Sequence, residues 1–215
     1  MTAKIKLNAA SGGGSFSLQA PSSSANTRVM TLPDTADGTI LTTTNPKSGN
    51  ILQVKQAVKT DTSSTTNTGW VTIPGTDESG SGSLFEVNIT PSATSSKILV
   101  SWGIHLSVNS AVYSGGMKLR RNTTDIFIGD TSSSRTRATN WVVGWNQYAD
   151  RHPWFLGGTF LDSPNTTSAV TYSFQYQSGY DGGYTVYINR PHSLFTDDVA
   201  CGVVPSSITC MEVAA

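Results

Sequence analysis

Between Lys97 and Val108 the chain reads KILVSWGIHLSV, and this run limits the fold more than any other. Ile98, Val100, Trp102, Ile104, Leu106 and Val108 alternate with Leu99, Ser101, Gly103, His105 and Ser107. A period of two puts every member of the first set on one side of a β-strand. Twelve residues at strand rise span about 35 Å, so this reads as a central strand of a sheet with one wet or lightly packed face.

Shorter runs of the same kind follow at close spacing. LFEVNI precedes the turn TPSATSS, MKLRR and DIFIG are joined across Asn122-Thr123-Thr124, TYSFQYQ alternates Tyr172, Phe174 and Tyr176, and YTVYIN follows Asp181-Gly182-Gly183. SITCMEV closes the chain, and ILQVKQAVK, WVTI, WVVGW and WFLGGTFL are weaker candidates. No segment carries a helical period. About ten short strands separated by Gly, Pro and Asn turns predict an all-β sandwich or jelly roll.

The composition agrees. Ser and Thr fill 58 positions, and both β-branched Thr and backbone-competing Ser disfavour helices. Charged residues make up only 13%, with 14 Lys+Arg against 14 Asp+Glu. That balance gives no field for nucleic acid or an anionic membrane. No stretch approaches the ~20 apolar residues of a membrane span, so no membrane insertion is expected. MTAKIKLNAASGGG lacks the apolar core of a secretory signal, which predicts cytoplasmic synthesis without export. Cys201 and Cys210 are too few for a disulfide framework, and buried free thiols are expected.

Composition shifts near Asn45-Pro46-Lys47-Ser48-Gly49, dividing an arm, residues 1–45, from a C-terminal sandwich head, residues 46–215. Within the arm, RVMTLPDTADGTILTT pairs two apolar runs across a Pro-Asp-Thr-Ala-Asp-Gly turn. Nothing nearby in sequence could bury Val29, Met30, Leu32, Ile40 and Leu41, and a lone hairpin is marginal in water. Either the segment is disordered or it packs in an assembly. Gly12-Gly13-Gly14-Ser15 lacks the lysine and spacing of a phosphate loop and reads as a flexible link.

Catalytic patterns are missing. No Ser sits in a nucleophile elbow, and His105, His152 and His192 are scattered without metal-ligand spacing. Asp77-Glu78 and Asp197-Asp198 are neighbours, which a strand would point to opposite faces, so solvated turns fit them better than an acid/base couple. The residues therefore predict a non-enzyme without metal or cofactor. Arg120-Arg121 lies close to Asp125 and Asp130, and cross-strand pairing is expected.

Aromatic residues offer the one binding chemistry. Trp141, Trp145, Tyr148, Trp154 and Phe155 crowd together with Arg151 and His152, and Tyr180 and Tyr184 bracket the Asp-Gly-Gly turn. Exposed rings beside Asn, Asp and Arg suit a sugar, because the ring covers the apolar face of a pyranose while polar groups hold its hydroxyls. The alternative is that the rings fill a core or a subunit interface, which fits Trp141 and Trp145 better. Tyr180, Tyr184, Trp154 and Arg151 are the candidate ligand-binding residues.

With these segments in hand, the chain resembles small appendage proteins of tailed bacteriophages, particularly phages of marine bacteria. The arm KLNAASGGGSFSLQAPSSSANTRVMTLPDTADGTILTT, the segments ITPSATSSKILV, IFIGDTSSSRTRATN and FLDSPNTTSAVTYSFQYQS, and the terminal SSITCMEVAA carry the resemblance. It implies a virion structural protein with a homotrimeric jelly-roll head, similar in build to tumour necrosis factor and complement-type heads. The arm would then contact other virion proteins, and Val29, Met30, Leu32, Ile40 and Leu41 would be buried by assembly. A tail fibre recognising host-surface glycan is the expected role. A capsid head fibre or decoration protein is the alternative, and a glycan depolymerase a remote one.

Overall fold

The computed structural model describes residues 4–19, 22–25, 27, 46–75, 84–109, 113–143, 153–179, 183–192 and 201–215. It divides into two units, Met1–Ile40 and Leu41–Ala215. Every regular element among the described residues is a β-strand.

The first unit holds an antiparallel hairpin of β1 (Lys4–Asn8) and β2 (Ser15–Gln19). Its turn is the Gly-rich stretch expected to be a flexible link. Gly12 and Gly13 take φ values of 83° and 71°, which only glycine adopts cheaply, and the Ala9 amide donates to the Gly14 carbonyl at 2.8 Å. The glycines therefore close a hairpin. Register sets Ile5 opposite Leu18, and Ile5, Leu7 and Leu18 share one exposed face. Val29, Met30, Leu32, Ile40 and Leu41 lie outside the described residues.

The second unit is a sandwich of two antiparallel sheets. The first contains β3 (Ile51–Lys59), β4 (Ser63–Thr65), β7 (Lys97–Val108), β11 (Trp154–Asp162), β13 (Val186–Ile188) and β14 (Ser206–Val213). The second contains β5 (Val71–Thr72), β6 (Glu86–Ile89), β8 (Ser114–Arg121), β9 (Thr124–Ile126), β10 (Asn140–Val143) and β12 (Val170–Ser178). Four pairs are single strands interrupted by a loop: β13 and β14 both lie along one side of β7, β3 and β4 run beside them, β5 and β6 flank β12, and β9 and β10 flank β8.

Counted as continuous strands in chain order, the sheets read 1-8-3-6 and 2-7-4-5. That is a jelly roll. Among the described residues of these two sheets, only the link from β8 to β9 is a hairpin between neighbours, and Asn122 allows it by adopting φ 51°. β9 ends early because Phe127 also takes a left-handed φ of 50°. Its ring stacks on Phe160 at 4.9 Å and meets Trp102 edge-on at 5.9 Å.

The alternating face of β7 turns inward. Ile98, Val100, Trp102, Ile104, Leu106 and Val108 are buried against Met117 and Leu119 of β8, Tyr172, Phe174 and Tyr176 of β12, and Ile208 and Cys210 of β14. Trp102 bridges the sheets with its ring 5.4 Å from that of Phe174. Close approach explains two glycines here. A Cβ on Gly158 would come within 2.5 Å of the Trp102 ring, and one on Gly115 within 2.7 Å of Val186.

Candidate functional site

Register fixes which features share an end of the sandwich. Ile51, Val213 and Lys97 lie side by side across three strands, and the chain arrives there: the Gly49 amide donates to the Ala214 carbonyl at 2.8 Å, and the Ala214 amide to the Asn50 carbonyl at 2.9 Å. At the other end of β7, about 35 Å away, Val108 pairs with Val186 and Leu106 with Trp154. Tyr113, Ser114 and Gly179 belong to this far end, where the Gly179 amide donates to the Ser114 carbonyl at 2.8 Å.

Of the candidate aromatic residues that are described, Trp141, Trp154, Phe155 and Tyr184 lie toward that far end. Tyr184 stacks on Tyr113, centroids 3.4 Å apart and planes 25° from parallel, so one face of its ring is already covered. Trp154 opens β11 and is exposed. Tyr180 and Arg151 lie outside the described residues, as do Trp145, Tyr148 and His152. The sequence suggested a hairpin tip between Tyr180 and Tyr184. Instead β12 and β13 belong to different sheets.

Trp141 is not a core residue. Alternation along β10 turns Val142 inward and Trp141 outward, where its ring lies over Gly116 so closely that a Cβ there would be 2.2 Å away. Trp70 stands on the same outer face of the second sheet, with the Lys118 ammonium 4.8 Å from its ring centroid. Lys118 and Arg120, two residues apart on β8, both reach Asp125, at 2.7 and 3.0 Å. Aromatic rings, a cation and a carboxylate thus stand together on this face. Sequence reasoning missed Trp70 and Lys118, although the alternation of WVTI already sets Trp70 opposite in sense to the core residues Val71 and Ile73.

The adjacent arginines separate for the same geometric reason. Arg120 faces out to Asp125, while Arg121 faces in, its Nη1 donating to both oxygens of the buried Asp162 carboxylate at 2.9 and 3.0 Å. The Tyr172 hydroxyl donates to Asp162 at 2.6 Å. Burial, followed by the hydrogen bond to Asp162, pushes the Tyr172 phenol far above its ordinary value, so it stays a donor. A second buried carboxylate, Glu212, forms no ion pair among the described residues and is held by hydrogen bonds instead. Cys210 is a free buried thiol, whereas Cys201 is only partly buried. Among the described residues no group of three His, Cys, Asp or Glu could hold a metal ion.

The outer face of the first sheet has the opposite character. Val54, Met211, Leu99 and Leu161 form one straight row across all four strands. Beside it runs the row Gln56, Thr209, Ser101 and Thr159, followed by Val58, Ser207, Gly103 and Gly157. None of the twelve is charged. The exposed Phe155 ring lies across the glycine pair, 2.7 and 2.6 Å from where their Cβ atoms would be.

No protein-family profile and no curated protein sequence matches the chain. Among solved structures it is similar to that of infectious bursal disease virus, Gt strain, at 13% identity and TM-score 0.38, covering 94% of this chain and 48% of the other. It is also similar to T=1 particles derived from that virus, at 13% identity and TM-score 0.40, covering 93% and 45%. The chain therefore spans about half the length of these structures, and at such scores nothing about function transfers from them.

Proposed function

We propose that this protein is a structural component of a virion, an appendage that attaches through its N-terminal arm and displays the jelly-roll head as a homotrimer. A tail fibre contacting host-surface glycan is the specific role. The observation that carries the reading is polarity. The chain enters the sandwich beside Ala214, while Tyr113, Tyr184, Trp141 and Trp154 gather toward the end about 35 Å away. An adaptor that holds at one end and recognises at the other needs that separation. The resemblance of the arm to phage appendage proteins supports the same assignment.

The contact chemistry sits on the second sheet's outer face and the adjoining rim. Trp70 and Trp141 offer ring faces, and Arg120 and Asp125 offer hydrogen-bonding groups beside them, while the buried Lys118 ties Trp70 to Asp125. Gold-labelled antibody on intact particles tests the assignment. Label at the tail supports the tail-fibre role, label over the capsid replaces it with a head fibre or decoration protein, and unlabelled particles refute it.

A further inference from the structure

We infer that the outer face of the second sheet takes an uncharged polysaccharide, and that Gln175 and Thr72 bind its hydroxyl groups beside the two indole rings. The inference rests on the reading that the head contacts host-surface glycan, and it adds the class of glycan and two specificity residues.

Register assembles the site. Trp141, Gly116 and Gln177 stand side by side on β10, β8 and β12. Lys118, Gln175 and Thr72 make the next outward row, on β8, β12 and β5. Asp125, Arg120, Ser173 and Glu86 make the row after that. Trp70 immediately precedes β5, and its ring reaches back to Lys118. The two rings therefore serve successive outward positions of β8, about 7 Å apart, Trp141 over Gly116 and Trp70 beside Lys118. Any side chain at Gly116 would displace the first ring, and the buried Lys118 ammonium holds the second.

The groups that a sugar needs are present here. Trp141 is exposed and Trp70 half-buried, which leaves ring surface for the apolar side of a pyranose. Gln175 and Thr72 are half-buried, and among the described residues neither side chain makes a hydrogen bond. An amide and a hydroxyl each donate and accept, as a sugar hydroxyl does. The ground around them is polar as well, since Gln177 and Ser173 flank Gln175 on the same side of β12 and are buried.

The cations on this face, in contrast, are already engaged. Lys118 and Arg120 both pair with Asp125, and Arg120 also donates to the Thr123 carbonyl. Among the described residues, the outward positions of these strands hold no other Lys or Arg. A carboxylate or sulfate on a ligand would have to displace Asp125, and it would meet Glu86 in the same row. An uncharged chain leaves the ion pairs undisturbed.

The test measures adsorption of the fluorescently labelled full chain to host cells, with and without prior treatment of the cells with periodate, which cleaves the vicinal diols of sugars. Adsorption should be lost after periodate. It should change less than about twofold between about 0.1 and 1 M salt, over which the screening length falls from about 10 to about 3 Å. Gln175→Ala with Thr72→Val should weaken it about tenfold without moving the thermal midpoint, and Gln175→Arg should weaken it too. Adsorption that survives periodate would refute the glycan reading and the inference with it. Adsorption that is lost to periodate yet falls tenfold or more with salt, or rises in Gln175→Arg, would mean an anionic glycan and overturn the inference alone. So would full adsorption by the Gln175→Ala, Thr72→Val protein, which would leave the glycan reading intact.

Discussion

Glu212 accepts two hydrogen bonds from Ser92, one from its amide and one from its hydroxyl, both 2.6 Å long and both to Oε1. The Gln53 side chain donates to Oε2 at 2.6 Å. The carboxylate is fully buried, and among the described residues no cation forms an ion pair with it. Burial pushes its pKa up, but the hydrogen bonds from Ser92, Gln53 and Ser96 outweigh that effect and hold it below the ordinary range. The group fastens β14 to β3 and to the loop before β7.

A folded-state value below the unfolded one makes this an acid-sensitive contact. Its stabilisation is complete above the ordinary Glu value of about 4.3 and is lost as pH falls through the lower folded value. Glu212→Gln should cost about 2 kcal/mol at pH 7. It should also flatten the fall in thermal midpoint below pH about 4. Calorimetry of both proteins between pH 3 and 7 checks this, and parallel profiles would contradict it.

The Arg121–Asp162 pair behaves differently because a cation is present. Arg121→Met should destabilise by about 3–5 kcal/mol, since Asp162 keeps only the Tyr172 hydroxyl. Adding Asp162→Leu should recover most of the loss. Urea unfolding of the four proteins in a double-mutant cycle measures the coupling, and additive losses would show the pair to be uncoupled.

The two thiols should separate under a thiol reagent. Burial pushes Cys210 up to about 12, leaving almost no thiolate at pH 8. Ellman's reagent should titrate one thiol per native chain, at Cys201, and two after denaturation. Cys201→Ser should abolish the native reaction.

Trp141 lies on a surface, so its loss should affect binding more than folding. Trp141→Ala combined with Trp70→Ala should reduce adsorption of purified protein to host cells at least tenfold, with a loss in stability of about 1 kcal/mol or less, as for surface substitutions. Unchanged adsorption would remove the second sheet's outer face from the recognition surface.

Strands were legible in this sequence because their period of two is written locally. KILVSWGIHLSV showed its length and its two alternating sets, but which set faces inward is decided by the opposing sheet, and on β14 it is Glu212 that shares the inward face with Ile208 and Cys210. What makes Glu212 tolerable there is not local: Ser92 and Gln53 stand 120 and 159 residues away. Sheet membership was hidden for the same reason. TYSFQYQ and YTVYIN look like two arms of a hairpin, yet the jelly roll sends them to different sheets. The Gly-rich run was misread from composition, since only its φ angles show glycine closing a turn. Of the candidate ligand residues, Tyr184 and Trp154 fall toward one end of the sandwich, and Trp70 and Lys118 joined the picture only through register.

Placing β3 beside β14 has a mechanical consequence. A pull on the chain at Asn50, directed away from the sandwich and opposed by a load at the aromatic end, acts along the axis of β3. The interstrand hydrogen bonds lie across that axis, so the register running from Ile51–Val213 to Lys59–Ser206 is loaded in shear and shares the force. A pull across the strand would break the same bonds one at a time. A tether joined to the chain at Asn50 would thus load the sandwich in the direction in which it resists most.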